Sequence, residues 1–283
     1  MNAWAAASPC PSPPSVPRGA VARSPRGTVL RRYAALAAAV SRAMAAGGRI
    51  AEPQALQRHA RAVLDGLGIG LEAAGPLRVP GTVTGTLVVA NHTSWLDVVA
   101  LLAVEPVPLI AKREVAAWPV VGGLARRTGT WFIDREALRE LPCVVRDLAA
   151  RLRDGETVAV FPQATTWCTA PGGPFRRATF QAALDAGAPV RPVAVDFTRE
   201  GRSSTAAAYV GDDTFASSLR RVAATDALGA RVRVCAPLWP YGHDRRSLAA
   251  AAHGAVSASC AGSTGSRAHE SFRAREPGML GSR

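Results

Sequence analysis

Lysine is almost absent from this chain: Lys112 is the only one among 34 basic residues. With so much alanine and arginine around it, this reads as a compositional bias, and the arginine content by itself says little about function. Acidic residues are also scarce, 21 against those 34, so the formal net charge is +13. No run of about 18 or more uninterrupted apolar residues occurs, which is the length a membrane-spanning helix requires. The five cysteines (Cys10, Cys143, Cys168, Cys235, Cys260) include no C-x-x-C pair and no Cys/His spacing suited to zinc, so no metal is expected. Their scatter predicts reduced thiols in a cytosolic setting. A P-loop and a nucleophile elbow are missing too, and Gly66-x-Gly68-x-Gly70 lacks the third glycine of a dinucleotide fingerprint.

At 283 residues and 48% hydrophobic, the chain is long enough to bury a substantial core in one domain. Residues 1–27, rich in Pro, Ser and Ala, and 258–283, a Gly/Ser/Arg run, read as disordered ends around a folded body over 28–257. The ends carry about +3 and +2, leaving the larger share of the charge on the body. A basic globular body favours polyanions, either anionic lipid head groups or nucleic acid. No aromatic-interleaved basic stripe or nucleic-acid module is present, so nucleic acid is not expected.

The body opens with two helical segments within 28–69. In the first, Leu30, Tyr33, Ala37, Val40 and Met44 share one face. Arg42 interrupts the apolar stretch Tyr33–Ala46, which argues against an export signal. The pattern suits a helix packed on the body or one lying on a bilayer surface. Beyond it, short apolar runs alternate with helical periods. Strands are expected at 87–90, 108–111, 130–133, 157–161, 190–195, 206–210 and 231–235. Helices are expected at 51–67, 94–104, 115–126, 136–153, 177–186 and 214–223, the last capped by Asp212-Asp213. The fold class that follows is α/β: a mixed, largely buried sheet flanked by helices, with N-terminal helices suited to a membrane surface.

Four segments fall at or beside strand ends, where open α/β sheets usually place their sites. They are Asn91-His92-Thr93-Ser94-Trp95-Leu96-Asp97, Gly129-Thr130-Trp131-Phe132-Ile133-Asp134-Arg135, Phe161-Pro162-Gln163-Ala164-Thr165-Thr166, and Pro189-Val190-Arg191-Pro192-Val193. His92 leaves a strand, and Asp97 falls in the first turn of the next helix, facing back toward the loop. A carboxylate there can fix one imidazole nitrogen and leave the other to accept a proton, the arrangement that deprotonates an attacking alcohol. The same Ser94-x-x-Asp97 spacing is also that of a capping box, which would only start a helix.

In order and spacing the four segments resemble the motifs of the glycerolipid acyltransferases, the 1-acylglycerol-3-phosphate acyltransferase family: H-x-x-x-x-D, a G-x-x-F-I-D-R-like motif, F-P-E-G-T, and a proline-containing strand. The match covers about residues 70–240. The resemblance implies that His92 and Asp97 are catalytic, with no serine nucleophile. A lysophospholipid hydroxyl would attack an acyl thioester, from acyl-coenzyme A or an acyl carrier protein, with no cofactor. It further implies that Arg135 grips an acceptor phosphate through its forked donors. Lys112, Gln163, Thr165, Thr166 and Arg176 are candidate substrate contacts, and Pro192 would shape the acyl side of the site. An anionic bilayer on the cytoplasmic face of the cell membrane is the expected partner.

One departure stands out. Gln163-Ala164 replaces the motif's Glu-Gly. Glutamine keeps an acceptor oxygen but exchanges charge for two donors, and alanine narrows the backbone choices if positive φ is needed. The expectation is an enzyme weakened or redirected at this point. The rivals are an acceptor without phosphate, such as a lyso-aminolipid, and a degenerate scaffold that only binds membrane surfaces.

Overall fold

The computed structural model describes residue 10 and residues 24–116, 121–133 and 139–261. Most of the two ends expected to be disordered lies outside these residues. Helices α1 (Arg26–Ala45) and α2 (Pro53–Leu67) are joined by a 3₁₀ turn, Gly47–Ala51. Proline at its first position starts α2, and Gly68, at φ 72°, ends it in the left-handed conformation that spares glycine a steric cost. Strand β1 (Gly70–Ala74) follows, then β2 (Leu87–Ala90), α3 (Leu96–Val104), β3 (Ile110–Lys112), α4 (Arg113–Ala116) and α5 (Val121–Arg127). Next come β4 (Trp131–Ile133), α6 (Leu141–Arg153), β5 (Val158–Val160), α7 (Ala178–Ala186) and β6 (Val190–Arg199). The described chain closes with β7 (Arg202–Ser203), α8 (Phe215–Ala224), β8 (Leu228–Val234) and α9 (Arg245–Ala261).

The main sheet runs in the order β1-β8-β6-β2-β5, with β7 paired to β6. It is mixed, as expected: β1–β8, β6–β2 and β2–β5 are parallel, while β6–β8 is antiparallel. The parallel pair β3–β4 extends it through a bridge from Leu109 to Ala159. Continuous apolar runs mark strands covered on both faces, and all four residues of β2 are buried. Val88, Ala90, Val193 and Val195 pack toward the side of α2, α3 and α8. Leu87, Val89, Val190 and Ala194 pack toward α6, α7 and α9.

The N-terminal helices attach to the body through polar side chains at helix C-termini, where backbone carbonyls lack intrahelical partners. Buried Arg32 donates to the carbonyls of Ala223 (2.9 Å) and Thr225 (2.8 Å) at the end of α8, and to Ser24 Oγ at 2.8 Å. Gln57 and Arg61 of α2 donate to Val104 O (2.6 Å) and Ala103 O (2.9 Å) at the end of α3. Ser24, ahead of residue 28, is thus among the described residues packed on the body, and α9 runs to Ala261.

Several sequence expectations give way. Residues 206–210 form no strand; their apolar side chains plug the core while Tyr209 N donates to Thr93 O at 2.9 Å. Helix α8 is capped by the Thr214 hydroxyl, which accepts from Ser217 N, and not by Asp212 or Asp213. The cysteines are not all reduced thiols: Cys10 and Cys168, 158 apart in sequence, form a disulfide with a Cα separation of 6.0 Å. Cys143, Cys235 and Cys260 remain thiols.

Candidate active site

Strands β2 and β5 run parallel and end side by side, so the chain segments leaving them, 91–97 and 161–167, meet at one edge. Asn91 continues the ladder with its side chain: its Nδ2 donates to Val195 O and its Oδ1 accepts from Val195 N, both at 2.8 Å. That fixes the exit of β2 against β6. His92 is next in sequence, its ring stacked on Phe161 with centroids 4.1 Å apart and planes 19° from parallel.

His92 Nδ1 stands 2.9 Å from Asp97 Oδ2. The carboxylate is fully buried, whereas the imidazole keeps 17% of its surface exposed. The same Oδ2 accepts from Thr93 N at 2.6 Å and Ser94 N at 2.9 Å, and Ser94 Oγ accepts from Leu96 N at 3.2 Å. The reciprocal capping box is not formed, since α3 starts after Trp95 without a side-chain cap; Asp97 instead holds the N–H groups of Thr93 and Ser94 and stands against the imidazole with the same oxygen. With Nδ1 committed to the acid, Nε2 is the nitrogen left for proton transfer, on a side chain that lines a cavity.

That cavity, about 700 Å³, is walled largely by apolar groups: Leu36, Val40 and Ala43 of α1, Leu56 and Val63 of α2, Val99 and Leu102 of α3. Volume and lining suit one flexible apolar ligand portion, with a few polar groups in the wall. Those polar groups include His92, Thr165, Thr166 and Tyr209. The Thr166 hydroxyl donates to Tyr209 O, tying the 161–167 segment to the 204–211 plug. Burial, with Asp213 nearby, pushes the Tyr209 phenol above its ordinary pKa and keeps it a hydrogen-bond donor. His59 of α2 lines the same cavity, its pKa lowered by burial and by Arg58 and Arg42.

The other expected site residues divide. Thr165 and Thr166 join His92 and Asp97. Gln163 is close but does not line the cavity; it is buried and hydrogen-bonded to the main chain. Lys112 ends β3 beside cavity-lining Ala111, while Arg135 lies outside the described residues. Arg176 is exposed beside the site, its N–H bonded to Pro162 O at 3.0 Å, and does not line the cavity. Pro192 sits in β6 opposite Val89, where alternation with Val190 and Ala194 turns it toward α9, and it does not line the cavity. Trp95, Phe161 and Tyr209 are lining residues the sequence reading did not single out. Apolar and aromatic residues beside a motif carry no signal separating cavity wall from core.

A family model described as Acyltransferase matches residues 78–196. The 1-acyl-sn-glycerol-3-phosphate acyltransferase of Neisseria meningitidis is 39% identical over 189 residues, covering 66% of this chain and 73% of that protein. The chain belongs to the acyltransferase family. This acyltransferase is also 35% identical over 168 residues to the lyso-ornithine lipid O-acyltransferase of Pseudomonas aeruginosa, covering 59% of this chain and 65% of that protein. Its fold is shared with the crystal structure of the 1-acyl-sn-glycerophosphate acyltransferase PlsC of Thermotoga maritima. There the TM-score is 0.60 at 19% identity, over 85% of this chain and 96% of that one. The family assignment makes the protein an enzyme of acyl transfer.

Proposed function

We propose that the enzyme moves a fatty acyl group from an acyl thioester, acyl-coenzyme A or acyl carrier protein, onto the free hydroxyl of 1-acylglycerol-3-phosphate or a related lysophospholipid. The observation that carries this is His92, held by a buried acid, in the wall of a largely apolar cavity. The acyl chain occupies the cavity and brings its carbonyl to the imidazole. Nε2 takes the proton of the acceptor hydroxyl as its oxygen attacks that carbonyl. The tetrahedral intermediate collapses by breaking the carbon–sulfur bond, and the imidazolium returns the proton to the departing thiolate. Asp97 holds the tautomer and offsets the positive charge that develops on the ring. General base assistance of this kind contributes about 10²–10⁴-fold.

The acceptor's phosphate falls to Arg135 and Lys112, with Arg176 close by. A second acceptor class, a lyso-aminolipid without phosphate, is favoured by the likeness to the lyso-ornithine lipid enzyme. We further assign the enzyme to the cytoplasmic face of an anionic membrane; no described helix is long and apolar enough to cross one. A thioester-cleavage assay with a panel of lysolipids tests these readings. Wild type cleaves thioester only with its acceptor present, and His92→Ala loses about 10² or more of the rate. Loss of phosphate-bearing acceptors alone in Arg135→Ala selects the phosphate reading; turnover surviving His92→Ala overturns the mechanism.

A further inference from the structure

Gln163 occupies the position where the family motif has glutamate, and the sequence alone makes it look like a weakened substrate contact. Its surroundings are of another kind. The side chain is buried, with 4% of its surface exposed. Oε1 accepts the His92 backbone N–H at 2.7 Å, and Nε2 donates to Pro171 O at 2.7 Å and to Gly173 O at 2.8 Å. Both amide hydrogens are thus committed to main-chain carbonyls. The carbonyl of His92 is held from the same segment by Trp167 N at 2.8 Å. The 171–173 turn packs directly on this amide: a Cβ on Gly172, already at φ 75°, would stand 2.5 Å from Gln163 Nε2 and 2.7 Å from Trp167 Cγ.

We propose that Gln163 is a positioning residue whose amide, and not a carboxylate, is what this site requires. One side chain locks the main chain carrying His92 to the turn 171–173, while Ala164, Thr165 and Thr166 beside it face the cavity. Glutamate has the same reach and would still accept from His92 N–H. It would also bring carboxylate oxygen against two carbonyl oxygens with no hydrogen between them. Burial and those two dipoles disfavour the charged form, raising such an acid above its ordinary value of about 4.3. The neutral acid carries a single O–H and can serve only one of the two carbonyls. The departure from the motif is therefore a matched exchange of charge for donors, built into the loop that Gln163 holds. The catalytic part of this inference rests on the reading of His92 as the base; the packing part does not.

The test compares Gln163→Glu and Gln163→Met with wild type at about pH 5 and about pH 8. A carboxyl whose folded pKa is raised contributes stability below its unfolded pKa and loses it as pH rises through the folded value. The urea midpoint of Gln163→Glu therefore falls further below wild type at the higher pH. The ratio of its kcat to that of wild type falls with it, by about tenfold or more across the range. Gln163→Met, of similar length and uncharged, loses about 10² in kcat at both pH values with KM within about twofold. Midpoint and kcat deficits in Gln163→Glu that do not change with pH overturn the proposal. So does a methionine variant with wild-type kcat, or one whose loss is all in KM, which would place the side chain on the substrate. Should Gln163→Glu fold at neither pH, the methionine variant alone decides. The urea midpoints need no catalysis, so a failure of the His92 mechanism is read separately through His92→Ala.

Discussion

Asp97 does two things with one oxygen. Its Oδ2 accepts from the N–H groups of Thr93 and Ser94 and stands against His92 Nδ1. The two roles separate by substitution. Asp97→Asn keeps an oxygen for the backbone donors, so its unfolding free energy stays within about 1 kcal/mol of wild type. It has no charge to offset an imidazolium, so kcat falls by about 10²–10⁴. Asp97→Ala strands both buried N–H groups, each worth about 1–3 kcal/mol. Steady-state kinetics and urea titration of the pair check this, and an asparagine variant with wild-type kcat would remove the acid from the mechanism. The pairing of His92 with Asp97 was legible because a five-residue offset across a strand-to-helix turn leaves few other geometries. The partners of Gln163 were not, since Pro171 and Gly173 contribute only carbonyls, which no side-chain pattern announces. The strain at Ala164, φ 59°, could be posed from sequence only as a condition. It is met, at about 1–2 kcal/mol for an L-residue in that conformation.

At the level of elements, the apolar runs of β2, β5 and β6 were readable because strands buried on both faces need continuous hydrophobicity. Helix α9 was missed: its buried residues Leu248, Ala249, Ala252 and Val256 sit among further alanines, and small side chains give little contrast between faces. On α1 the sequence picked out an apolar face through Leu30 and Met44, yet those residues are 71% and 42% exposed. The face that packs on the body is instead led by Arg32, an arginine no hydropathy period selects. Arg32→Met tests that attachment. It leaves the carbonyls of Ala223 and Thr225 buried without their donor and unties α1 from α8. The expected loss is about 2–4 kcal/mol in unfolding free energy by urea titration. An unchanged midpoint would mean that α1 is held by its apolar contacts with α2 alone.

For the molecule as a whole, the net charge of +13 and the exposed apolar residues of α1 bear on the same question. Arg31 and Arg42 are exposed and, three turns apart, lie on one flank of α1; exposed Arg49 follows in the 3₁₀ turn. Leu30 and Met44 are exposed on the same helix, and Leu36, Val40 and Ala43, next to them around it, line the cavity. One helix thus carries basic groups, exposed hydrocarbon and part of the cavity wall. Under the proposed membrane assignment, a lipid substrate would reach the site from a bilayer against which that helix rests. Each basic side chain near an anionic surface contributes about 1 kcal/mol. Replacing Arg31, Arg42 and Arg49 by Glu is therefore expected to weaken sedimentation with anionic vesicles by about 100-fold or more, and added salt should weaken wild-type binding in the same direction. Thioester turnover with a short-chain acceptor below its micelle concentration should stay at the wild-type level, because none of the three lines the cavity. Equal binding to neutral vesicles, or a triple variant that still sediments with anionic ones, would move the membrane contact off α1 and leave the acyl cavity to be filled from solution.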